Sequence, residues 1–592
     1  MDLKANPETD VLLENGHPHP AAAWIQEHSP RALLRSAFRE DRFFLILSVF
    51  IGIISGLAVV CFRFAIDWSR LYLLGTGAVL SPVRMLLAPS LAGLVIAVLV
   101  IHFFPAARGS GVNQTKAALY IFNGDIPFRT AIGKFITAAL AIGSGHSLGP
   151  EDPSLQIGAS LASLLGRKMR LSRDRMRLIA PVGAAAGLAA AFNAPISAVL
   201  FVIEEVIGRW SAGILGSVVL SAVSSVVVMR WFLGSESLFR IPAVELKNPT
   251  ELIAYAVLGV MGGLASVAFA SGIATLRPRC KALPKWTQYF QPAVAGLLIG
   301  VIAMMGAPQV MGAGYEYIDQ AMHGQFTWEF LAILAGLKIV ATLLSFVSGT
   351  PGGMFAPTLF VGAMLGAAVG GVQHVLLPHL TASPGTYALV GMGVLFAGFL
   401  RAPMTSVFMV LEVSGNYSII VPVIVANTFA YVISRGLQPI PIFDLLTRQD
   451  GLDLPSMEEL REEGILRVED AMQPVEGPVL DGEKTLDQSM AELDHSQNGD
   501  LLVRLSPGGW NSVSREQLQG FMAEGKGGAK LASLLPIRQV PYLHPDHPLE
   551  MALRYVDRWP VVPVVSRADF RQLQGVVSQR HVLERYREFG ES

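Results

Sequence analysis

Glu151 stands in Ser144-Gly-His-Ser-Leu-Gly-Pro-Glu-Asp-Pro153, which runs directly into the apolar, helix-like stretch from Ser154 to Leu165. A carboxylate at a helix start between membrane-length hydrophobic segments is costly to bury, so the position points to the handling of ions or protons. The pattern recurs 204 positions later as Ser348-Gly-Thr-Pro-Gly-Gly-Met-Phe-Ala-Pro357, with its Ser-Gly, Gly and Pro positions in register and no gap. Glu151 falls opposite Phe355. One half of a duplicated chain offers an acid where the other offers an aromatic ring.

Three glycine-rich breaks precede short helical stretches: Gly109-Ser-Gly-Val-Asn113, Gly149-Pro-Glu-Asp-Pro153 and Gly353-Met-Phe-Ala-Pro357. Backbone N–H groups left unpaired at a helix start, together with the aligned peptide dipoles, attract an anion without any formal cation. That suits a transported ion, which a Lys or Arg in direct contact would hold too tightly to release. A second echo pairs Gly183 through Asn193-Ala-Pro-Ile-Ser-Ala-Val-Leu-Phe-Val-Ile-Glu204 with Gly391 through Arg401-Ala-Pro-Met-Thr-Ser-Val-Phe-Met-Val-Leu-Glu412. Repeats of this kind in a membrane chain imply transport through a site near the bilayer midplane, where interrupted helices of both halves converge.

The elements that must position these groups are membrane helices. Hydrophobic residues make up 52% of 592 positions and charged residues only 15%, unlike an average soluble domain. Clear spanning candidates are Phe43 to Phe62, Leu86 to Phe104, Ser211 to Leu233, Ile253 to Leu276 and Phe330 to Val347. Other apolar segments are interrupted by Gly and Pro, which membrane helices tolerate only where they are buried in protein or line a cavity. The first forty residues lack the pattern of a cleaved signal peptide. Arg31, Arg35, Arg39 and Arg42 flank the first span, and Arg167, Lys168, Arg170, Arg173, Arg175 and Arg177 form a second basic cluster; both are expected on the cytoplasmic side. Cys61 and Cys280 give neither a metal-ligand spacing nor a disulfide framework.

Composition shifts after Gln438-Pro-Ile-Pro-Ile-Phe-Asp-Leu-Leu446, and residues 451–592 are charge-rich with no spanning segment. Within them Pro478 to Leu486 and Pro541 to Leu549 open two similar units, each with a helix-like run, an apolar strand and a Ser-containing strand end, which implies two β-α-β units.

In combination, these breaks, their order and the antiparallel duplication resemble the CLC family of chloride channels and chloride/proton antiporters. The family motifs GSGIP, GREGP and GxFxP stand here as Gly109-Ser-Gly-Val-Asn113, Gly149-Pro-Glu-Asp-Pro153 and Gly353-Met-Phe-Ala-Pro357. The resemblance covers roughly 31–450, and the tail resembles a pair of cystathionine-β-synthase-type (CBS) modules. It implies an N-terminal cytoplasmic segment (1–30), an all-α polytopic membrane domain of two inverted repeats (31–450) and a cytoplasmic α/β CBS-type pair (451–592). It further implies a homodimer in the cell (inner) membrane, both termini cytoplasmic, exchanging chloride for protons across the lipid bilayer. A passive chloride channel on the same fold is the alternative.

The same resemblance makes Glu151 the gating glutamate and Glu205 the internal proton glutamate. Ser110 would offer its hydroxyl beside Gly111, Met354 and Phe355 their backbone N–H groups, and Lys134 electrostatic support for anions; Ser110 also implies a preference for chloride over nitrate. Glu204 and Glu412 read as helix-end acids, and Ser110 fits a helix cap as well as a ligand. Four positions depart from the pattern. Phe443 replaces the anion-binding tyrosine, Pro150 the arginine before Glu151, Asp152 the glycine after it, and Asn113 the proline closing the first motif. Asp152 should repel anions unless it turns aside to cap a neighbouring helix. In the tail, Gln517 and His581 stand where CBS-type sites place a ribose-binding Asp, which disfavours an adenine nucleotide. A nucleotide-sensing regulator anchored by its membrane part is a rival reading, and the full set of anion-site breaks argues against it. No His-Glu metal pair or Ser-His arrangement suggests an intramembrane hydrolase, so an enzyme, a metal and a cofactor are not expected, and nothing points to nucleic acid as a partner.

Overall fold

The computed structural model describes residues 13–14, 17–18 and 30–591, apart from 76–80, 209–211, 235–238, 240–249, 377–382, 453, 455–465, 476–477, 494–499, 506–508, 536–539, 568 and 570. Most of the segment 1–30, the side chains of Arg31, Arg35 and Arg39, and Arg209 with Trp210 lie outside the described residues. Two compact units result, Met1–Leu454 and Pro455–Ser592.

The first unit is a helical membrane domain. Its first half comprises α1 (Pro30–Leu73), α2 (Pro82–Val98), α3 (Gly111–Tyr120), α4 (Phe128–Ser144), α5 (Glu151–Lys168), α6 (Arg173–Phe192), α7 (Pro195–Phe201) and α8 (Ala212–Leu233). The second half follows the same order with α9 (Glu251–Ala282), α10 (Gln291–Met304), α11 (Tyr315–Met322), α12 (Trp328–Val347), α13 (Phe355–Leu376), α14 (Pro384–Leu400), α15 (Pro403–Ser414) and α16 (Ile420–Leu437), after which α17 (Ile442–Gln449) stands outside the duplication. Each of the five spans expected from the sequence coincides with a helix over its described residues, Phe104 excepted. Three further segments among the described residues are long and apolar enough to cross a membrane: Arg173–Phe192, Phe355–Leu376 and Tyr417–Gln449. The first two are rich in small residues, which lowers their hydropathy and lets their backbones approach closely.

Local chemistry sets the helix ends. Pro82, Pro195, Pro384 and Pro403 occupy first-turn positions where a missing N–H costs nothing. The matched positions Asn193 and Arg401 end α6 and α14 in the left-handed region, at φ 57° and 61°. Each half then buries a glycine contact at the same place. A Cβ on Gly158 of α5 would strike the carbonyl oxygen of Gly183 on α6, and one on Gly362 of α13 would strike that of Gly391 on α14. Such small-residue seams replace the hydrophobic drive that lipid cannot supply between helices.

Glu204 and Glu412 complete the symmetry. The Glu204 carboxylate accepts from the backbone N–H groups of Met404 (3.2 Å) and Thr405 (2.9 Å) at the start of α15. Glu412 accepts from those of Ile196 (2.9 Å) and Ser197 (2.8 Å) at the start of α7. Each half thus caps a helix of the other, which accounts for both acids as structural groups.

In the second unit, β1 (Leu480–Asp481), α18 (Leu486–Ala491) and β2 (Asp500–Arg504) form a β-α-β unit with β1 and β2 parallel. An antiparallel strand β3 (Trp510–Ser514) and helix α19 (Arg515–Ala523) follow. The second unit is thinner: Leu543 bridges Val564 in parallel, α20 (Leu549–Val556) intervenes, and β4 (Val562–Val565) pairs antiparallel with β5 (Leu573–Val577) before α21 (Gln579–Glu591). One expected β-α-β unit is formed in full; in the other the first strand is reduced to the single bridge at Leu543.

The glycine seams make a direct test. Gly158→Val forces a branched side chain into a backbone carbonyl, and overpacking of this kind costs about 1–3 kcal/mol or more. The purified variant is expected to lose its monodisperse peak in detergent or melt well below the unaltered protein; an unchanged Tm would contradict the close helix contact.

Candidate functional site: two tethered carboxylates at the meeting of broken helices

The breaks of the two halves meet backbone to backbone. Gly149 N–H donates to the Gly353 carbonyl at 2.8 Å and Gly353 N–H to the Gly149 carbonyl at 2.9 Å, an isolated antiparallel bridge between residues 204 positions apart, the repeat offset itself. This bridge sets the starts of α5 and α13 side by side. Glu151 and Asp152, the first two residues of α5, are both buried there.

Their carboxylates point to different helices. One oxygen of Glu151 accepts the hydroxyl proton of Tyr315, at the start of α11. The other lies against Gly149, beside Ala356 in the first turn of α13; a Cβ on Gly149 would push the carboxylate from this position. Asp152 turns toward α3 instead. Its Oδ1 accepts from Ser110 Oγ (2.9 Å), Gly111 N (3.0 Å) and Val112 N (3.2 Å), and its Oδ2 from Gly111 N (2.9 Å). Asp152 caps α3, and it does so on Ser110 and Gly111, the groups expected to receive an anion. Ser110 also caps its own helix, accepting from Val112 N at 3.2 Å.

Lys134, fully buried on α4, donates to the carbonyls of Ala107 (3.2 Å) and Gly109 (2.7 Å), and its Nζ lies 3.8 Å from Asp152. Lys338 repeats this on α12, donating to Val310 (2.9 Å) and Gly312 (2.7 Å). The position matching Asp152 is Ala356, so only the first half adds a carboxylate.

Met354 and Phe355 open α13, both buried. The Phe355 ring sits 5.0 Å from that of Phe201, 6.1 Å from Phe192, 5.8 Å from Phe396 and 6.3 Å from Phe443. Phe443 thus contributes ring bulk to an all-phenyl cluster, with no hydroxyl to offer. Asn113 compensates in another way, its Nδ2 donating to the Phe443 carbonyl at 2.9 Å. These two departures from the family pattern are therefore one feature: a side-chain amide fixes the segment that the ring belongs to.

Glu205 lies elsewhere in the first half. It lies on a π-helical turn, Val202–Ile207, that continues α7 and ends at Gly208 with φ 74°. The wide turn places consecutive acids inward, and π turns are frequent at functional positions. Glu205 is buried 3.6 Å from Lys116 Nζ, which also lies 3.4 Å from Asp444 and 5.7 Å from the Phe443 ring centre. Lys116 and Asp444 escaped sequence reasoning because each is isolated in the chain. Tyr315 escaped too, although Gly109-Ser-Gly-Val112 and Gly312-Ala-Gly-Tyr315 share a glycine spacing that marks α11 as the counterpart of α3.

A cavity of about 410 Å³ lies beside Glu151. Pro150 and Tyr315 line it together with Arg63, Asp67 and Arg70.

Broken helices of two inverted halves meeting at a buried acid define an ion-transporting membrane protein. The chain belongs to the voltage-gated chloride channel (CLC) family, whose sequence model, described as voltage gated chloride channel, matches residues 92–435. It is similar to the H(+)/Cl(-) exchange transporter ClcA of Vibrio campbellii, 34% identical over 59% of this chain and 75% of that one. The H(+)/Cl(-) exchange transporter ClcA of Salmonella arizonae is 31% identical over 70% of this chain and 90% of its own length. The crystal structure of a slow cyanobacterial Cl⁻/H⁺ antiporter superposes with a TM-score of 0.62 at 25% identity, covering 68% of this chain and 97% of that one.

Removing the Tyr315 hydroxyl releases one oxygen of Glu151. Hydrogen bonds to charged groups contribute about 1.5–3 kcal/mol, so Tyr315→Phe is expected to speed chloride efflux from liposomes at neutral pH by roughly tenfold or more. An unchanged rate would show that Tyr315 does not restrain the acid.

Proposed function

We propose that the protein exchanges chloride for protons, without chemical conversion of a substrate. Glu151 is the gate: ionised, its carboxylate sits at the start of α13 where an anion would bind; protonated, it leaves that place and carries the proton. Ser110, Gly111, Met354 and Phe355 supply the helix-start groups along the anion path, Phe355 and Phe443 its apolar wall, and Lys134 a positive field beside it. Glu205 relays protons toward the cytoplasm. The observation that carries this reading is the placement of the Glu151 carboxylate, buried against the first turn of α13 and held by Tyr315. The names of the ClcA relatives support proton coupling.

The protein acts as a homodimer with one pathway per subunit, in the cell (inner) membrane with both termini cytoplasmic. The tail serves as a CBS-type packing and dimerising pair without nucleotide. Gln517 supports that role, because its side chain closes a capping box with Ser514, accepting from Ser514 N at 3.1 Å, and is engaged there.

Passive chloride conduction is the second reading, favoured by the ammonium of Lys116 beside Glu205. In that reading the Glu205 carboxylate serves to pair with Lys116, 3.6 Å away, and takes no part in a proton route.

Flux measurements in proteoliposomes separate the two. Under exchange, an imposed chloride gradient drives protons uphill, and Glu205→Gln keeps chloride flux while abolishing proton flux. No uphill proton movement in the unaltered protein would establish the passive reading; intact coupling in Glu205→Gln would remove Glu205 from the proton route.

A further inference from the structure

Ser110 and Gly111 are the groups that an anion in the pathway would meet at α3, yet in this structure Asp152 already holds them. Four hydrogen bonds, from the Ser110 hydroxyl, from the Gly111 N–H to both oxygens and from the Val112 N–H, converge on one buried carboxylate. The Lys134 ammonium stands 3.8 Å away. Backbone closes tightly on both sides: a Cβ on Gly111 would come within 2.6 Å of the Asp152 carbonyl oxygen, and one on Gly353 within 2.7 Å of the Asp152 Cβ.

A purely structural role for this acid would be to neutralise Lys134 inside the membrane domain. The second half argues against that necessity. Lys338 is equally buried, makes the same pair of bonds to carbonyls, and stands opposite Ala356 where the first half has Asp152. A lysine at this place therefore folds without a carboxylate. What Asp152 adds is a fixed negative charge on the donors that would otherwise receive a mobile one.

We propose that Asp152 is a tethered competitor for the transported anion, occupying the Ser110–Gly111 end of the pathway and having to be displaced whenever an ion binds there. Glu151 and Asp152, adjacent at the start of α5, thus occupy two helix starts at once, α13 and α3. The anion meets two internal rivals in series rather than one, and its affinity at α3 is set by how readily Asp152 gives up its donors. This inference rests on the reading of the chain as an anion transporter.

The test is chloride binding to the purified full-length protein by isothermal titration calorimetry, in a chloride-free organic-anion buffer, for the unaltered protein, Asp152→Gly, Asp152→Asn and Asp152→Gly/Ser110→Ala. Removing the rival is expected to lower the chloride Kd at least about tenfold in Asp152→Gly, with a smaller gain in Asp152→Asn, whose neutral amide competes less well. The added Ser110→Ala should cancel much of the gain, because the ion enters through that hydroxyl. If Asp152→Gly does not purify as a folded dimer or monomer, Asp152→Asn carries the test. An unchanged Kd in the folded Asp152 variants overturns the proposal, as does a gain that is indifferent to Ser110. Chloride efflux from liposomes containing the unaltered protein is measured in parallel: efflux without a gain in affinity overturns the role of Asp152 alone, whereas neither efflux nor binding in any form overturns the transport reading with it.

Discussion

A helix that begins inside a membrane domain leaves N–H groups with no water to receive them, and the whole membrane unit is arranged around supplying acceptors for such ends. The chain uses its own carboxylates. Glu204 of one half serves α15 of the other, Glu412 returns the arrangement at α7, Asp152 serves α3, and Glu151 lies at the start of α13. The Gly149–Gly353 bridge sets the start of α5, with Glu151, beside that of α13. Where the acceptor is a side chain buried for good, the result is a cap. Under the function proposed above, Glu151 is the acid that a proton would release, and the same geometry would then receive a mobile anion.

The difference between halves then acquires a physical meaning. Backbone geometry is duplicated down to the lysine that clasps two carbonyls, at Lys134 and Lys338. Side chains are not. The first half offers Ser110, Glu151 and Asp152; the second offers Ala313, Phe355 and Ala356 at the matching places, and Tyr315 where the first has Val112. The first half places both acids at the break, whereas the second places Phe355 and Phe396, which complete a phenyl cluster with Phe192 and Phe201 of the first. The hydroxyl of Tyr315 gives Glu151 a polar hold from the second half.

Much of this was legible in the chain because duplication writes the same constraint twice. The 204-residue repeat located Glu151, Gly149 and Gly353, and the spacing from Gly183 to Glu204 exposed the second pair of broken helices. Of the three spanning segments that were less visible, Arg173–Phe192 is packed on Gly and Ala and carries the lowest mean hydropathy of the eight. The direction in which Asp152 points depends on which helix start is nearer, and no local pattern encodes that. Tyr315, Lys116 and Asp444 reach their partners across long chain separations and belong to no motif. In the tail, strand positions were plain from apolar runs, whereas the capping box that engages Gln517 required the turn geometry of Ser514.

The central claim is that one carboxylate both closes the anion path and carries the proton, and Glu151→Gln isolates it, because the amide keeps the size of the protonated acid and cannot ionise. Chloride and proton fluxes measured together in liposomes across the acidic to neutral range should show the unaltered protein accelerating as pH falls, with the two ions coupled. Glu151→Gln should move chloride without protons and at a rate nearly independent of pH. A variant that retains full coupling and the original pH dependence would contradict the assignment of Glu151 as the gate.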